Sequence, residues 1–192
     1  MIDYKDAARL LDVDESAVKA IASVESAGDG FITDKAGNKI PKILFERHVM
    51  FKRLRDFTLI KSVDMAEKYP DIVNPTPGGY KGGLAEHERL AKAVQIDRVT
   101  ALESASWGAY QVMGYHWNAL GYPSVQEFVN KAYTEDGQLE LFIRFVKASP
   151  NVLKALKAKD WVGVARAYNG PGYAKNSYHI KMKEAYERFS KE

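Results

Sequence analysis

The chain has 192 residues, 46% hydrophobic and 28% charged, which is enough to bury one sizeable core. It contains no cysteine, excluding a disulfide framework, thiolate ligands and a cysteine nucleophile, and it has no apolar run of the ~18 residues that would span a membrane. The formal net charge of +3 is too small to argue for a nucleic-acid partner, although ten lysines or arginines against four acids from Lys147 to Glu192 make the last part of the chain basic.

In chain order, Met1-Ile2-Asp3-Tyr4-Lys5-Asp6 carries two early acids and no apolar stretch, so no signal peptide is expected. Asp3 to Leu11 reads as a short amphipathic helix, and Asp14 as the N-cap of a second helix running to about Ser26, with Gly28 as its stop. Between Phe31 and Glu46 two short apolar runs flank a polar turn at Gly37 and Asn38, which predicts a β-hairpin and the only sheet. A helix from about Arg47 to Arg55 follows.

Tyr69 to Gly83 holds Pro70, Pro75, Pro77 and four glycines and reads as a loop, of a length that is usually functional or mobile. Helical spacing resumes at Ala85 and continues through Glu103. Further helices are predicted near Ala109–Leu120, Val125–Ala132, Glu135–Lys147, Val152–Lys157, Trp161–Tyr168 and Ser177–Phe189. Without repeats or a long linker, residues 1–192 read as a single domain.

Glu25 is the residue out of place. Val18, Ile21, Ala22 and Glu25 stand at i, i+3, i+4 and i+7, one stripe of the second helix. An ionised carboxylate is costly to bury unpaired, and the last turn of a helix presents partial negative charge. Both effects favour the protonated form, the state a general acid needs near neutral pH. The competing reading is a carboxylate that reaches out from the stripe edge or pairs with a lysine or arginine. Glu46 closes Leu44-Phe45-Glu46-Arg47-His48, and a hairpin folding back would bring it across a groove from Glu25. Two carboxylates flanking a sugar bond are the recurring machinery of glycoside hydrolysis. A salt bridge from Glu46 to Arg47, Arg53 or Arg55 is the competing role for this carboxylate.

Val24-Glu25-Ser26-Ala27-Gly28-Asp29-Gly30-Phe31, Ile43-Leu44-Phe45-Glu46-Arg47-His48, the run from Ser104 to Gly114, and Ala167-Tyr168-Asn169-Gly170 with Tyr173, Asn176 and Tyr178 stand in one order. Together they resemble the N-acetylmuramidase domain of phage endolysins that attack Gram-negative peptidoglycan, over about Asp6 to Tyr186. The resemblance implies a mainly α (α+β), lysozyme-like helical fold with one small β-hairpin. It implies cleavage of the β-1,4 bond between N-acetylmuramic acid and N-acetylglucosamine, with Glu25 as catalytic acid. Glu46 lies in the family's Phe-Glu-Arg-His motif as a second carboxylate, although in goose-type relatives a second catalytic carboxylate is often not evident, leaving a structural role open.

Substrate contacts are expected from Ser106, Gly108, Tyr110, Gln111, Tyr168 and Asn169. Gly108 admits close backbone approach, while tyrosine faces and amides suit an N-acetylated sugar. Core packing is the expected role of Trp107 and the competing one for Tyr168, and a helix stop is the competing role for Asn169. Glu103 is expected to make a structural hydrogen bond to the Ser-Trp-Gly loop, with contact to the substrate or the catalytic acid as the alternative. The four histidines have no metal-ligand spacing, and no metal or other cofactor is expected.

Asp6 to Ile21 also looks like a helix-turn-helix, but its second helix offers Lys19 and little else to DNA. A lytic transglycosylase giving anhydro-muropeptides, or a non-catalytic peptidoglycan-binding phage protein, would share the same motifs. The partners expected are glycan strands and an anionic envelope met by the basic C-terminal helix, with no nucleic acid. The chain is expected to be a monomer, accumulating in the host cytoplasm and acting in the periplasm after release.

Overall fold

The computed structural model describes residues 3–25 and 29–192. The helices begin where local chemistry starts them. Asp3, Thr58, Asp97, Ser124, Thr134 and Asp160 each accept a hydrogen bond from the amide three positions on, opening α1 (Tyr4–Leu11), α4 (Leu59–Lys68), α6 (Arg98–Glu103), α7 (Val125–Ala132), α8 (Glu135–Ala148) and α10 (Trp161–Asn169). Such caps are worth about 1 kcal/mol each. The remaining helices are α2 (Glu15–Glu25), α3 (Arg47–Phe57), α5 (Leu84–Ile96), α9 (Pro150–Lys157) and α11 (Tyr178–Phe189). The stop predicted at Gly28, with Ser26 and Ala27, lies outside the described residues.

Two apolar cores organise the packing. The first gathers Phe45, Met50, Leu54, Leu90, Trp107 and Phe128; the second gathers Leu11, Ile21, Phe142, Leu156, Val164 and Met182. Helix α8 lies between them, giving Leu141 to the first and Leu139, Phe142, Ile143 and Val146 to the second, and Tyr110 packs against both. Complete burial of side chains such as Phe45 or Phe142 contributes about 1.5–3 kcal/mol each.

The β-structure is richer than one hairpin. Strands β1 (Phe31–Thr33) and β2 (Lys39–Pro41) form the predicted hairpin in the register Phe31↔Pro41 to Thr33↔Lys39. Its turn is held by the Asp34 carboxylate, which accepts from the Ala36 and Asn38 amides. Strand β3 (Ile43–Phe45) does not belong to this hairpin. It pairs antiparallel with β4 (Ala105–Trp107), which pairs with β5 (Val112–Met113), making a second, three-stranded sheet.

That sheet explains the largest departure from the helical reading. Ala109–Leu120 is not an α-helix but a turn, β5 and a 3-10 segment at Gly114–His116. Gly108 (φ 72°) and Gln111 (φ 50°) are left-handed, a conformation that ends any right-handed helix there and turns β4 back onto β5. The stretch from Ala85 to Glu103 is two helices, parted at Asp97. Helix α4 is absent from the sequence prediction because its inward face is short and mixed, with Met65 and Ala66 packing on the first core beside a serine. Its buried residue is Ser62, while Leu59, Ile60 and Val63 face outward.

Helix α2 packs along α11, and Lys19 pairs with Glu15 at 2.9 Å, so the second helix of the apparent helix-turn-helix is covered rather than presented to DNA. Among the described residues no helix is long and apolar enough to cross a membrane.

Candidate active site

Glu25 stands at the end of α2, on a stripe whose other members, Val18, Ile21 and Ala22, are at most 1% exposed. Burial pushes its carboxyl up from the ordinary value of 4.5 to about 7, against the opposing pull of a hydrogen bond from Asn169 Nδ2 to Oε1 at 2.8 Å. One oxygen is thereby fixed by a neutral amide, and the carboxyl is half protonated near neutrality. This is a group able to give a proton to a bound molecule.

Asn169 ends α10, next to Tyr168. Burial first, and then the negative field of Glu25, raise the phenol of Tyr168, keeping it neutral. Its hydroxyl donates to the Tyr110 carbonyl at 3.4 Å, and its ring meets Phe142 and Phe145 edge-on. Tyr110 stacks on Phe142 at 4.5 Å between centroids. From Tyr110 the polar line continues through Gln111, whose Oε1 accepts from Ser106 Oγ at 2.7 Å and whose Nε2 donates to the Gly108 carbonyl at 2.8 Å. Gln111 keeps one amide hydrogen and one oxygen lone pair for anything else.

Ser106 lies opposite Leu44 on β3 and Met113 on β5, a row on the sheet face turned away from Ile43, Phe45, Trp107 and Val112 of the first core. Glu46, two residues beyond Leu44, continues β3, with its amide donating to the Ser104 carbonyl at 2.9 Å. Glu46 therefore stands between β3 of the three-stranded sheet and the start of α3, not on the arm of a hairpin folding back.

Of the three predicted arginine partners of Glu46, Arg47 and Arg53 are engaged elsewhere, and among the described residues Arg55 forms no ion pair with it. Arg47 donates to the carbonyls of Pro70, Thr76 and Pro77, and Arg53 pairs with Glu103. Glu46 instead accepts from Tyr80 Oη at 2.8 and 3.0 Å, one contact to each oxygen, and His48 Nδ1 lies 3.2 Å away. The Tyr80 hydroxyl is pushed up to about 12, by burial and by this carboxylate. Tyr80 comes from the Pro/Gly loop, so that segment supplies a side chain to the site. A lone aromatic inside Gly78-Gly79-Tyr80-Lys81-Gly82-Gly83 was the available signal, missed because composition marked the segment only as loop.

Gln138, also missed, ties the surroundings together. It is 3% exposed, its Oε1 accepts from the Ala109 amide at 2.8 Å, and its Nε2 donates to the carbonyls of Gly30 and Ala132. A Cβ on Gly108 would meet this side chain at 2.5 Å, so Gly108 is demanded by its turn and by Gln138. Trp107 is 3% exposed and packs in the first core. Glu103 accepts from Arg53 and from Trp117 Nε1 at 2.7 Å, fastening α6 to α3. Among the described residues no group of three or more His, Cys, Asp or Glu side chains is placed to hold a metal ion.

The sequence model of the N-acetylmuramidase family matches residues 14–190. Among solved structures, the chain is similar to the crystal structure of a Burkholderia AP3 phage endolysin, at a TM-score of 0.91 and 45% identity. That match covers 98% of this chain and 70% of the other. None of the curated proteins compared by sequence matches.

Proposed function

The chain belongs to the N-acetylmuramidase family and is a glycoside hydrolase acting on peptidoglycan, and we propose that Glu25 is its general acid. It protonates the glycosidic oxygen between N-acetylmuramic acid and N-acetylglucosamine as the bond breaks. The observation that carries this reading is the partly buried Glu25 carboxyl, raised to about 7, with one oxygen held by Asn169 and, among the described residues, the other open to the substrate. General acid catalysis works best when the donor's pKa lies near the working pH.

Glu46 is the second carboxylate of the groove, taking the proton of the attacking water or balancing positive charge at the sugar carbon. In support, Glu46 continues the strand face that carries Ser106, and the Ser106–Gln111–Tyr110–Tyr168–Asn169 line runs from there to Glu25. Along that line Tyr110 and Tyr168 supply apolar ring surface, and the spare capacity of Gln111 and Asn169 meets an N-acetyl group. Ser106 and Gly108 shape the turn beneath the sugar.

We propose further that the enzyme works as a monomer. Its similarity to a phage endolysin supports accumulation in the host cytoplasm and release to the periplasm. Contact with an anionic envelope falls to Lys175, Lys181, Lys183, Arg188 and Lys191, of which Lys183 also faces Glu187 at 3.9 Å.

Mass spectrometry of digested sacculi tests the reaction. Reducing muropeptides ending in N-acetylmuramic acid are expected; anhydro products would mean ring closure in place of water addition, and no release would mean binding alone.

A further inference from the structure

We infer that the buried ion pair Glu86–Arg89 on α5 is a positioning pair for the groove, holding the loop 69–83 and the end of β3 in the relation that brings Tyr80 onto Glu46. The inference rests on the reading above that Glu46 lines the catalytic groove. Glu86 is 0% and Arg89 1% exposed, and they join at 2.8 Å. Each then reaches both structures. Glu86 Oε2 accepts from the Phe45 amide at 3.0 Å, and Oε1 accepts from the amides of Lys81 at 2.6 Å and Gly82 at 3.1 Å. Arg89 donates to the Phe45 carbonyl at 3.0 Å and to the Asp71 carbonyl at 2.7 Å.

Phe45 immediately precedes Glu46, and Lys81 immediately follows Tyr80. The pair thus grips the covalent neighbours of both partners in the Tyr80–Glu46 hydrogen bond. Arg89 also fixes the loop near its start, at Asp71.

Stability alone is a poor reason for this arrangement. Removing two charges from water is costly, and a buried ion pair is often no better for stability than apolar side chains of the same volume. What the pair supplies, and an apolar pair cannot, is a set of directed bonds that sets loop against strand. A loop rich in glycine loses much chain entropy on being fixed and needs such anchors.

Glu86→Gln keeps the shape but turns one acceptor oxygen into a donor, which faces either the Lys81 and Gly82 amides or the Phe45 amide and Arg89. In the folded variant, kcat on peptidoglycan is expected to fall about tenfold or more, with KM changed by less than about twofold, because placement and not binding is lost. Combined with Tyr80→Phe, the double variant should lose no more than the worse single variant, since both changes act through the same contact. Hydrogen exchange at the Lys81 and Gly82 amides should accelerate. Arg89→Lys, which keeps the charge but not the two-pronged reach to Phe45 and Asp71, carries the same readouts if Glu86→Gln does not fold.

Losses that multiply in the double variant, or unchanged kcat with unchanged exchange at Lys81 and Gly82, would overturn the inference. Wild-type turnover in Glu46→Gln would instead remove the reading on which it rests. In that event exchange at Lys81 and Gly82 still decides whether the pair positions the loop.

Discussion

The Asn169 amide donates to Glu25 Oε1 at 2.8 Å across 144 positions of sequence, joining the end of α10 to the end of α2. The contact stabilises the ionised carboxylate, while burial stabilises the protonated acid, and burial prevails. The proton of Glu25 is therefore held by a balance that single substitutions can tip in either direction.

Glu25→Gln keeps the shape and removes the proton donor. Turnover of peptidoglycan is expected to fall about a hundredfold or more. The same variant should be more stable than the parent at alkaline pH. The folded-state pKa of Glu25 lies above that of the unfolded chain, so the folded form binds its proton more tightly. Its penalty is absent below about 4.5, grows between 4.5 and about 7, and is complete above that. The full difference is about 3 kcal/mol, to be read from urea melts of both proteins at pH 5 and pH 8.

The pH–rate profile should decline on its alkaline side with a midpoint near 7, as Glu25 loses its proton. Asn169→Ala removes a hydrogen bond that pulls this pKa down. The alkaline limb should move to higher pH while kcat falls about tenfold through loss of orientation. A limb that stays in place or moves to lower pH would contradict the role given to Asn169.

Glu46→Gln should lower kcat about ten- to a hundredfold with little change in the melting midpoint, as expected for a group needed by the reaction more than by the fold. If the melting midpoint falls and turnover per folded molecule is unchanged, Glu46 is a structural partner of Tyr80.

Gln138→Leu is nearly isosteric but strips partners from the Ala109 amide and from the carbonyls of Gly30 and Ala132. Buried groups left unpaired cost about 1–3 kcal/mol each, so a total loss of about 3 kcal/mol or more is expected in chemical denaturation. Activity at low temperature should fall as well, because Ala109 adjoins Tyr110 of the proposed substrate site.

Neutralising Lys175, Lys181, Lys183, Arg188 and Lys191 together should slow lysis of intact envelopes at low salt and leave turnover of a soluble muropeptide unaltered. Equal lysis by parent and variant at low salt would end the electrostatic account of the C-terminal region.

The sequence by itself determined what depends on near neighbours. Apolar residues three and four apart placed α2 and α8, and Pro and Gly marked the loop that ends at Gly83. Glu25 was legible as an acid on an apolar stripe because helical geometry fixes its face from eight consecutive residues. Only the tertiary structure decided which distant segments meet. Leu44 and Ser106, 62 positions apart, pair across β3 and β4, and without that partner β3 read as an arm of the hairpin. Ala109–Leu120 carries helical spacing, yet left-handed Gln111 and the pairing of β5 with β4 turn it into a sheet and a short 3-10 segment. Tyr80 on Glu46 and Asn169 on Glu25 have no local signature either. Periodicity reports which face of an element seeks burial, whereas a hydrogen bond between loop and strand exists only once packing has brought them within 3 Å.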